Sequence, residues 1–275
     1  MVKLVKRAPP AAKRLRSNHD LAIELSSNEG MAESHLVVAQ NLWGEANLGP
    51  QDSLFATTAI MALTLTPASA FSVVARNLSG RLTRLSEETG FWVDAYELEP
   101  IRFSLDRRKG AKIKRNVWQA GALPQSKYTD LFVHEPARLT AGLDALYAEC
   151  AASLRDRGHL FIADMVLDGA TAQTIESARL GQSRRWCTQM DHLQALSQSR
   201  LKVQQQFEMT RDLMVAVRDG FLKGIGRIPD IRALELPWRS QRLSGFLVEL
   251  EHWFKLYKML EHGQVSAIGF LTEKT

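Results

Sequence analysis

The 275-residue chain has an ordinary globular composition, with 45% hydrophobic, 24% charged and 8% aromatic residues, which excludes collagen-like, disordered and disulfide-scaffold classes. Its net charge of +5 arises from 35 Lys and Arg against 30 Asp and Glu. Six of the basic residues and no acid lie within residues 1–16, so the remainder is close to neutral and a global nucleic-acid-binding role is not indicated. No apolar run reaches the roughly 18 residues of a membrane span.

The N-terminal segment, residues 1–18, is predicted to be a flexible, solvated basic arm because it combines basic residues with Pro9 and Pro10. The alternative is electrostatic docking to RNA, DNA or an acidic partner. We expect a cytoplasmic protein, with organelle import as the alternative, since the first acid is Asp20. A secretory signal is not indicated, because no apolar region precedes a small-residue cleavage site.

The two cysteines, Cys150 and Cys187, show no C-x-x-C or His/Cys spacing. The sequence therefore predicts neither a disulfide framework nor a metal site. A reducing compartment suits such sparse cysteine usage.

The first half of the chain predicts two helices followed by an alternation of strands and helices. The loop at residues 43–50 contains two glycines and a proline and separates the two helices, the second of which Asp52 or Ser53 can cap. Hydrophobic periodicity and breaker residues give the following order: helices 32–42 and 54–63, strand 71–75, helix 79–89, and strands 91–97, 113–119 and 130–134.

The second half continues the alternation and ends on a strand. The predicted elements are helix 139–155, strand 160–166, a polar helical stretch 172–199, strand 201–209, helices 211–221 and 243–260, and strand 265–271. Seven short strands interleaved with helices indicate a doubly wound, mostly parallel α/β sheet of the Rossmann-like kind. Ligands of such sheets bind outside the carboxyl ends of the strands.

Four stretches carry a resemblance to a known family. FSVVARNLSGRLTRLSEETGFWVDAYELEP at 71–100 resembles the nucleotide-binding opening of class I S-adenosylmethionine-dependent methyltransferases, particularly the small-molecule enzymes of the sarcosine and phosphoethanolamine type. YTDLFVHEP at 128–136, ALYAECAASLRDRGHLFIADMV at 145–166 and YKMLEHGQVSAIGFLTEK at 257–274 are similar to later elements of that family. The resemblance spans about residues 30–274 and implies the class I methyltransferase fold.

The resemblance also implies where S-adenosylmethionine would bind. The implied cofactor-binding positions are Ala75, Asn77, Ser79, Gly80, Glu97 and Glu135. In the alignment Val73 stands at the family's Asp, while Ala75, Asn77 and Ser79 stand at its three glycines, so the motif is degenerate. Glu97 ends the second strand, where the family's carboxylate grips ribose hydroxyls; the alternative is an exposed acid that terminates a strand.

Other polar residues have both functional and structural interpretations. His134 and Asp164 end strands where the fold places substrate-facing groups, so His134 is a candidate general base or a surface or hydrogen-bonded histidine. Residues 102–118 carry seven basic residues against one acid. They are predicted to form either a phosphate- or RNA-binding edge of the sheet or a solvated helix and loop that leads into the third strand. Arg184, Arg185 and Trp186 lie where the resemblance implies a substrate lid, and the alternative is an interaction surface. The aromatic cluster within residues 238–260 predicts a packing helix rather than a ligand cage.

Together these observations predict a basic arm at 1–18, a helical cap at 19–68 and a methyltransferase-like domain at 69–275 with helical insertions near 170–200 and 211–260. The preferred function is a pseudoenzyme: a methyltransferase-like binding, scaffolding or regulatory protein whose S-adenosylmethionine binding is weakened or lost. The alternative is an active transferase that methylates a small-molecule acceptor. A protein partner or homo-oligomer is expected in the first case, and nucleic acid could bind the basic arm. No metal and no membrane association are expected.

Overall fold

The computed structural model describes residues 33–45, 47–98, 112–140, 142–168, 186–236 and 238–275. For residues 33–36, 79 and 241 it describes the backbone only. The predicted arm at 1–18, most of the basic segment 102–118 and most of the insertion near 170–200 lie outside these residues. The division into arm, cap and domain therefore stays a prediction.

Seven α-helices and seven β-strands make up the described part of the chain. The helices are α1 (Glu33–Trp43), α2 (Pro50–Leu63), α3 (Ser79–Thr89), α4 (Leu143–Ser153), α5 (Gln189–Gln198), α6 (Thr210–Arg232) and α7 (Trp238–Glu261). The strands are β1 (Phe71–Ala75), β2 (Val93–Glu97), β3 (Ile113–Val117), β4 (Tyr128–His134), β5 (Leu154–Leu167), β6 (Leu201–Glu208) and β7 (Val265–Lys274).

The strands form one sheet in the order β3-β2-β1-β4-β5-β7-β6. All pairs from β3 to β5 are parallel, whereas β7 runs antiparallel to both β5 and β6. The strand order reverses direction at β1 and β4, where doubly wound sheets bind ligands. The predicted doubly wound, mostly parallel seven-stranded sheet is confirmed.

One face of the sheet is covered by the N-terminal helices together with the two long C-terminal helices. Their apolar side chains share a single cluster with the inward side chains of the sheet. At its centre the indole Nε1 atoms of Trp43 and Trp253 both donate to Oε1 of Glu249, at 2.8 and 2.9 Å. The Glu249 carboxylate thereby fixes α1 to α7 inside the core.

The opposite face carries α4 and α5. Their apolar residues pack with the other face of the sheet in a second cluster, which includes Tyr128, Tyr147 and Phe270. Central strands are thus covered on both faces, which explains why β1 and β2 read as continuous buried runs rather than alternating ones.

Several element boundaries differ from the predictions: strand β5 begins at Leu154 rather than at residue 160, helix α7 begins at Trp238 rather than at residue 243, and three further helix boundaries are shifted. Helix α2 begins at Pro50 with Gly49 as its N-cap, and Asp52 is the third helical residue, whose carboxylate reaches back to the Gly49 amide. The predicted helix 139–155 begins only at Leu143, because Gly142 is extended. Helix α6 runs eleven residues beyond its predicted end at Phe221.

Strand β6 forms one edge of the sheet. It carries exposed polar and charged residues along LKVQQQFE, and its pairing with β7 shifts register between Val203 and Gln205. A bulge of this kind twists an edge and interrupts its ladder. Within the described residues, none of the helices is long and apolar enough to cross a membrane.

Candidate functional site

The carboxyl ends of β1, β2 and β4 bring the predicted cofactor residues to one edge of the sheet. Ala75 pairs with Glu97 across β1 and β2, and β4 ends directly before Glu135. Neighbouring strands are about 4.8 Å apart, so the ends of β2 and β4 are separated by about 10 Å. Helix α3 begins at the same edge with Ser79 and Gly80. The side chain of Ser79 lies outside the described part of the molecule.

Glu97 is turned toward the loop that follows β1. Its Oε1 accepts a hydrogen bond of 2.7 Å from the backbone N–H of Leu78, and the residue is fully buried. A carboxylate in this position satisfies one of the orphan amides at the start of α3. In this conformation Glu97 presents no oxygen at the protein surface.

The loop itself is packed with apolar side chains. Val73, Ala75 and Leu78 are all buried and belong to the cluster shared with the N-terminal helices. Asn77 is half-buried and Gly80 is buried. Val73, which aligns with the family's Asp, therefore contributes an apolar side chain to the core.

The turn after β4 holds a charged pair. Glu135 adopts a left-handed conformation with φ of 49°, which costs a non-glycine residue about 1–2 kcal/mol and is typical of functional sites. Its Oε2 accepts a 2.8 Å hydrogen bond from Nη1 of Arg138. Burial opposes the charge on Arg138, but the carboxylates of Glu135, Asp52 and Asp164 raise its pKa above the ordinary value.

Asp52 of α2 reaches the same place from the N-terminal helices. Its Oδ2 accepts hydrogen bonds from the backbone N–H groups of Leu48 and Gly49, at 2.7 and 3.1 Å. Its Oδ1 lies 3.6 Å from Nε2 of His134. Burial, with a smaller contribution from Glu135, raises the pKa of Asp52 to about 7. Near neutral pH this carboxyl group is therefore divided between its acid and base forms.

His134 is buried rather than exposed. Its ring lies 5.7 Å from that of Phe55 and 5.9 Å from that of Phe132, measured between centroids. These contacts are those of a buried ring, so the surface interpretation of His134 is wrong, while a general-base role stays open.

A second buried group lies behind β5. Nδ1 of His192 is 2.6 Å from the hydroxyl oxygen of Tyr147, and Nε2 is 3.5 Å from Oδ2 of Asp164. Burial lowers the pKa of His192 to about 4, so its imidazole is neutral. Which of the two atoms, the Tyr147 hydroxyl oxygen or Nδ1, donates this hydrogen bond depends on the tautomer of the neutral imidazole. Asp164 also accepts from the backbone N–H of Ala137 at 3.1 Å.

Sequence reasoning missed most of these partners. It gave Asp52 only a capping role and singled out neither Arg138 nor the Tyr147–His192 pair. The sequence of α2 did contain one indication. An acid such as Asp52 on a helix that is apolar over most of its surface is expected to be buried, and a buried carboxyl group needs a hydrogen-bond or charge partner.

Other predicted features take structural positions or lie outside the described residues. Within the basic segment, Trp118 is buried in the core. Arg184 and Arg185 are not among the described residues, while Trp186 packs against the first core cluster. The aromatic cluster forms α7, which buries Phe246, Trp253, Leu256 and Leu260 and exposes Trp238, Leu247 and Phe254. The described residues contain no group of three or more His, Cys, Asp or Glu arranged to hold a metal ion.

Comparison with solved structures identifies the fold. A sarcosine dimethylglycine methyltransferase described from Galdieria sulphuraria superposes with a TM-score of 0.63 at 15% identity, covering 89% of this chain and 99% of that one. The chain has a class I methyltransferase fold. Haemonchus contortus phosphoethanolamine N-methyltransferase 2, solved with S-adenosyl-L-methionine, gives a TM-score of 0.67 at 12% identity, covering 87% and 56% of the two chains.

One of the similar structures combines this fold with another chemistry. The [4+2]-cyclase SpnF superposes with a TM-score of 0.59 at 10% identity, covering 81% of this chain and 80% of that one. No protein-family model matches the sequence, and no curated protein sequence is significantly similar to it. At these identities the comparisons define the methyltransferase fold, and the chemistry must be argued from the site.

Proposed function

We propose that this methyltransferase-fold protein has weakened or lost S-adenosylmethionine binding and acts as a binding, scaffolding or regulatory protein. The observation that carries the proposal is the contact between Glu97 and the Leu78 amide. A ribose could bond to this carboxylate only after the fully buried side chain became accessible. The hydrogen bond from the Leu78 amide stabilises the buried arrangement, and a hydrogen bond to a charged group contributes about 1.5–3 kcal/mol.

The apolar side chains of the loop add to this argument. Val73 offers no hydrogen-bond acceptor, and the buried side chains of Ala75 and Leu78 occupy space beside it. A ligand that binds close to a loop of this kind normally approaches a glycine backbone. The loop therefore favours self-packing over contact with a nucleoside.

Thermal unfolding with and without the cofactor tests the proposal. A ligand at about 100 times its dissociation constant stabilises a protein by about 2.7 kcal/mol. We expect no change in Tm with millimolar S-adenosylmethionine or S-adenosylhomocysteine. The Ala75→Gly/Asn77→Gly variant is the matched comparison, since it restores two glycines without touching Glu97. A saturable rise in the Tm of the wild-type protein, removed by Glu97→Ala, contradicts the proposal.

The second candidate is an active methyltransferase that acts on a small-molecule acceptor. It is favoured by the group of titratable side chains at the carboxyl edge, where Asp52, His134 and Glu135 provide proton-transfer groups beside a candidate ligand site. Transfer of labelled methyl to a panel of small amines and carboxylic acids tests it. Methyl transfer that the wild-type protein catalyses and the His134→Gln variant does not supports this candidate over the first.

If the protein acts as a scaffold, it must bind a partner, and we propose which class of molecule that partner is. We expect another protein or a second copy of this chain, and light scattering of the purified protein distinguishes these two. Nucleic acid is the alternative partner of residues 1–18. Its binding would weaken steeply with salt and disappear when these residues are deleted.

A further inference from the structure

The long helices α6 and α7 carry most of the large apolar side chains that are exposed among the described residues. Of thirteen such side chains, eight lie within residues 215–254. On α6 they are Val215, Leu222 and Ile225. On α7 they include Leu247 and Phe254, which are 64% and 54% exposed. Single exposed hydrophobic residues are ordinary, whereas their concentration on two adjacent helices is typical of an interaction surface.

The exposed apolar residues of the two helices border one groove. A short connection joins α6 to α7, as in an antiparallel helical hairpin. Gly224 of α6 faces Phe246 of α7, because a Cβ on this glycine would lie 2.8 Å from Cε2 of the phenylalanine. Ile225 and Leu247 each follow this pair by one residue, a rotation of about 100° about the helix axis. In antiparallel helices equal rotations turn side chains to the same side of the pair, so Ile225 and Leu247 lie along the same outer groove.

Both helices repeat apolar residues at the spacing of helices that pack along their length. On α6, Val215 and Leu222 are seven residues apart and Ile225 follows three residues later. On α7, steps of four and three residues give a stripe in which half-buried and exposed side chains alternate: Leu243, Leu247, Leu250, Phe254 and Tyr257. Such heptad spacing is the pattern of helices that pair with other helices.

We propose that the α6/α7 groove, formed by Val215, Leu222, Ile225, Leu247 and Phe254, is a dimerisation surface that a second copy of the same groove occupies. A twofold axis would bring the same residues of both molecules together, and the two hairpins would form a four-helix arrangement. As the partner of a scaffolding protein, the second copy rests on the function proposed above. The surface itself is argued from the exposed residues alone.

The size of the groove matches one half of a dimer interface. Its five side chains together expose the equivalent of nearly three whole side chains. With about 150–250 Å² for a large apolar side chain, this amounts to roughly 500 Å² of apolar area. Apolar atoms make up about 65% of a homodimer interface, so the dimer would bury about 800 Å² on each molecule. A stable interface of standard size buries about this area per partner.

The exposed charges of α6 and α7 favour a second copy over a charged partner. Eight of them are neutralised in pairs within the same molecule: Arg218–Asp219, Arg227–Asp230, Lys255–Glu251 and Lys258–Glu261. Paired charges neither repel an identical surface nor attract nucleic acid or an anionic membrane. The dissociation constant of the dimer should therefore change little with salt.

Analytical ultracentrifugation of the full chain tests the proposal. We expect the wild-type protein to sediment at twice the mass of one chain. Leu222→Glu/Leu247→Glu should raise the dissociation constant at least about 100-fold, because four leucine side chains leave the interface and four carboxylates enter it. Both positions are exposed, so the circular dichroism spectrum should stay that of the wild type.

Met61→Glu/Met190→Glu is the matched control for the added charge. It places the same two carboxylates on exposed residues of α2 and α5, outside the α6/α7 groove. This variant should sediment as a dimer like the wild type.

Two results would overturn the proposal. One is a wild-type protein that sediments as a monomer, a measurement that requires no variant to fold. The other is a dimer that persists in Leu222→Glu/Leu247→Glu or is weakened equally in Met61→Glu/Met190→Glu, since either would place the contact elsewhere. All of these measurements are made without S-adenosylmethionine. A monomeric wild type would therefore leave the proposal on cofactor binding standing, and a rise of Tm with the cofactor would contradict only that proposal.

Discussion

The hydroxyl of Tyr147 has a definite role at the residue scale. Tyr147 is fully buried, and its hydroxyl shares a hydrogen bond of 2.6 Å with Nδ1 of His192. His192 in turn faces Asp164, which accepts from the Ala137 amide in the turn that presents Glu135 and Arg138. Through His192 and Asp164, the Tyr147 hydroxyl thus helps to position the turn that carries Glu135 and Arg138, although it contacts neither residue.

Tyr147→Phe should lower the free energy of unfolding by about 1–3 kcal/mol, because it leaves a buried imidazole nitrogen without its hydrogen-bond partner. Urea denaturation at pH 7 measures the loss. Tyr257→Phe on α7, where the ring is only half-buried, is the matched control and should change little. A loss in Tyr147→Phe no greater than in this control would show that the bond contributes nothing to stability.

The sequence predicts the position of some site residues but not the residues that they contact. The position of Glu97 at the end of β2 could be predicted, because it closes a strand-like segment shortly before a proline. Its partner could not, since the Leu78 amide meets it only when the loop after β1 folds back. Asp52 and His134 belong to elements far apart in the chain, and no local spacing records their contact.

At the scale of elements, α6 shows how small residues determine which helices can meet. A Cβ on Gly220 would lie 2.0 Å from Cζ3 of Trp43, and one on Gly224 would lie 2.4 Å from Cδ2 of Leu42. Both glycines therefore allow α1 to pack directly against the backbone of α6. Gly226 lies two residues further along, and apart from the backbone of its own helix no atom of the described residues is within 4 Å of the position that a Cβ would occupy.

Gly220→Ala and Gly224→Ala should each destabilise the protein by about 1–3 kcal/mol, since the clash with α1 outweighs the better helix propensity of alanine. Gly226→Ala should instead stabilise it by up to about 1 kcal/mol. Thermal and urea unfolding of the three variants give the comparison. If all three were stabilising, the close packing of α1 on α6 would be wrong.

The glycines also explain why the sequence predicts strand β1 better than this helix. The prediction for strand β1 is correct at both ends, because a parallel central strand is a short apolar run with clear breakers. The predicted end of helix α6 at Phe221 is too early, since glycines and Pro229 normally end helices. Tertiary packing against α1 overrides that local preference.

At the scale of the whole molecule, two buried groups among the described residues change stability with pH in opposite directions. Burial raises the pKa of Asp52 to about 7, so its contribution to stability is complete at acidic pH and is lost as pH rises. Burial lowers the pKa of His192 to about 4, so its contribution is lost as pH falls from about 6.5 toward 4. In the wild type these two slopes partly cancel.

In Asp52→Asn the slope due to His192 should remain without its counterpart. Its free energy of unfolding should rise by about 3 kcal/mol from pH 4 to pH 6.5, following the shift of the His192 pKa. Urea denaturation across this range, compared with Asp52→Asn/His192→Gln, measures the difference. A curve for Asp52→Asn that coincides with the wild-type curve would contradict the assignment of these pKa shifts.

The bulge in edge strand β6 affects how the protein aggregates at high concentration. A flat, apolar border would invite other polypeptides to extend the sheet and seed fibres. Here the border offers glutamines, Lys202 and Glu208 along an interrupted ladder. Strands of other molecules should therefore not pair with β6. Concentrated solutions of the protein should form no filaments through this edge of the sheet.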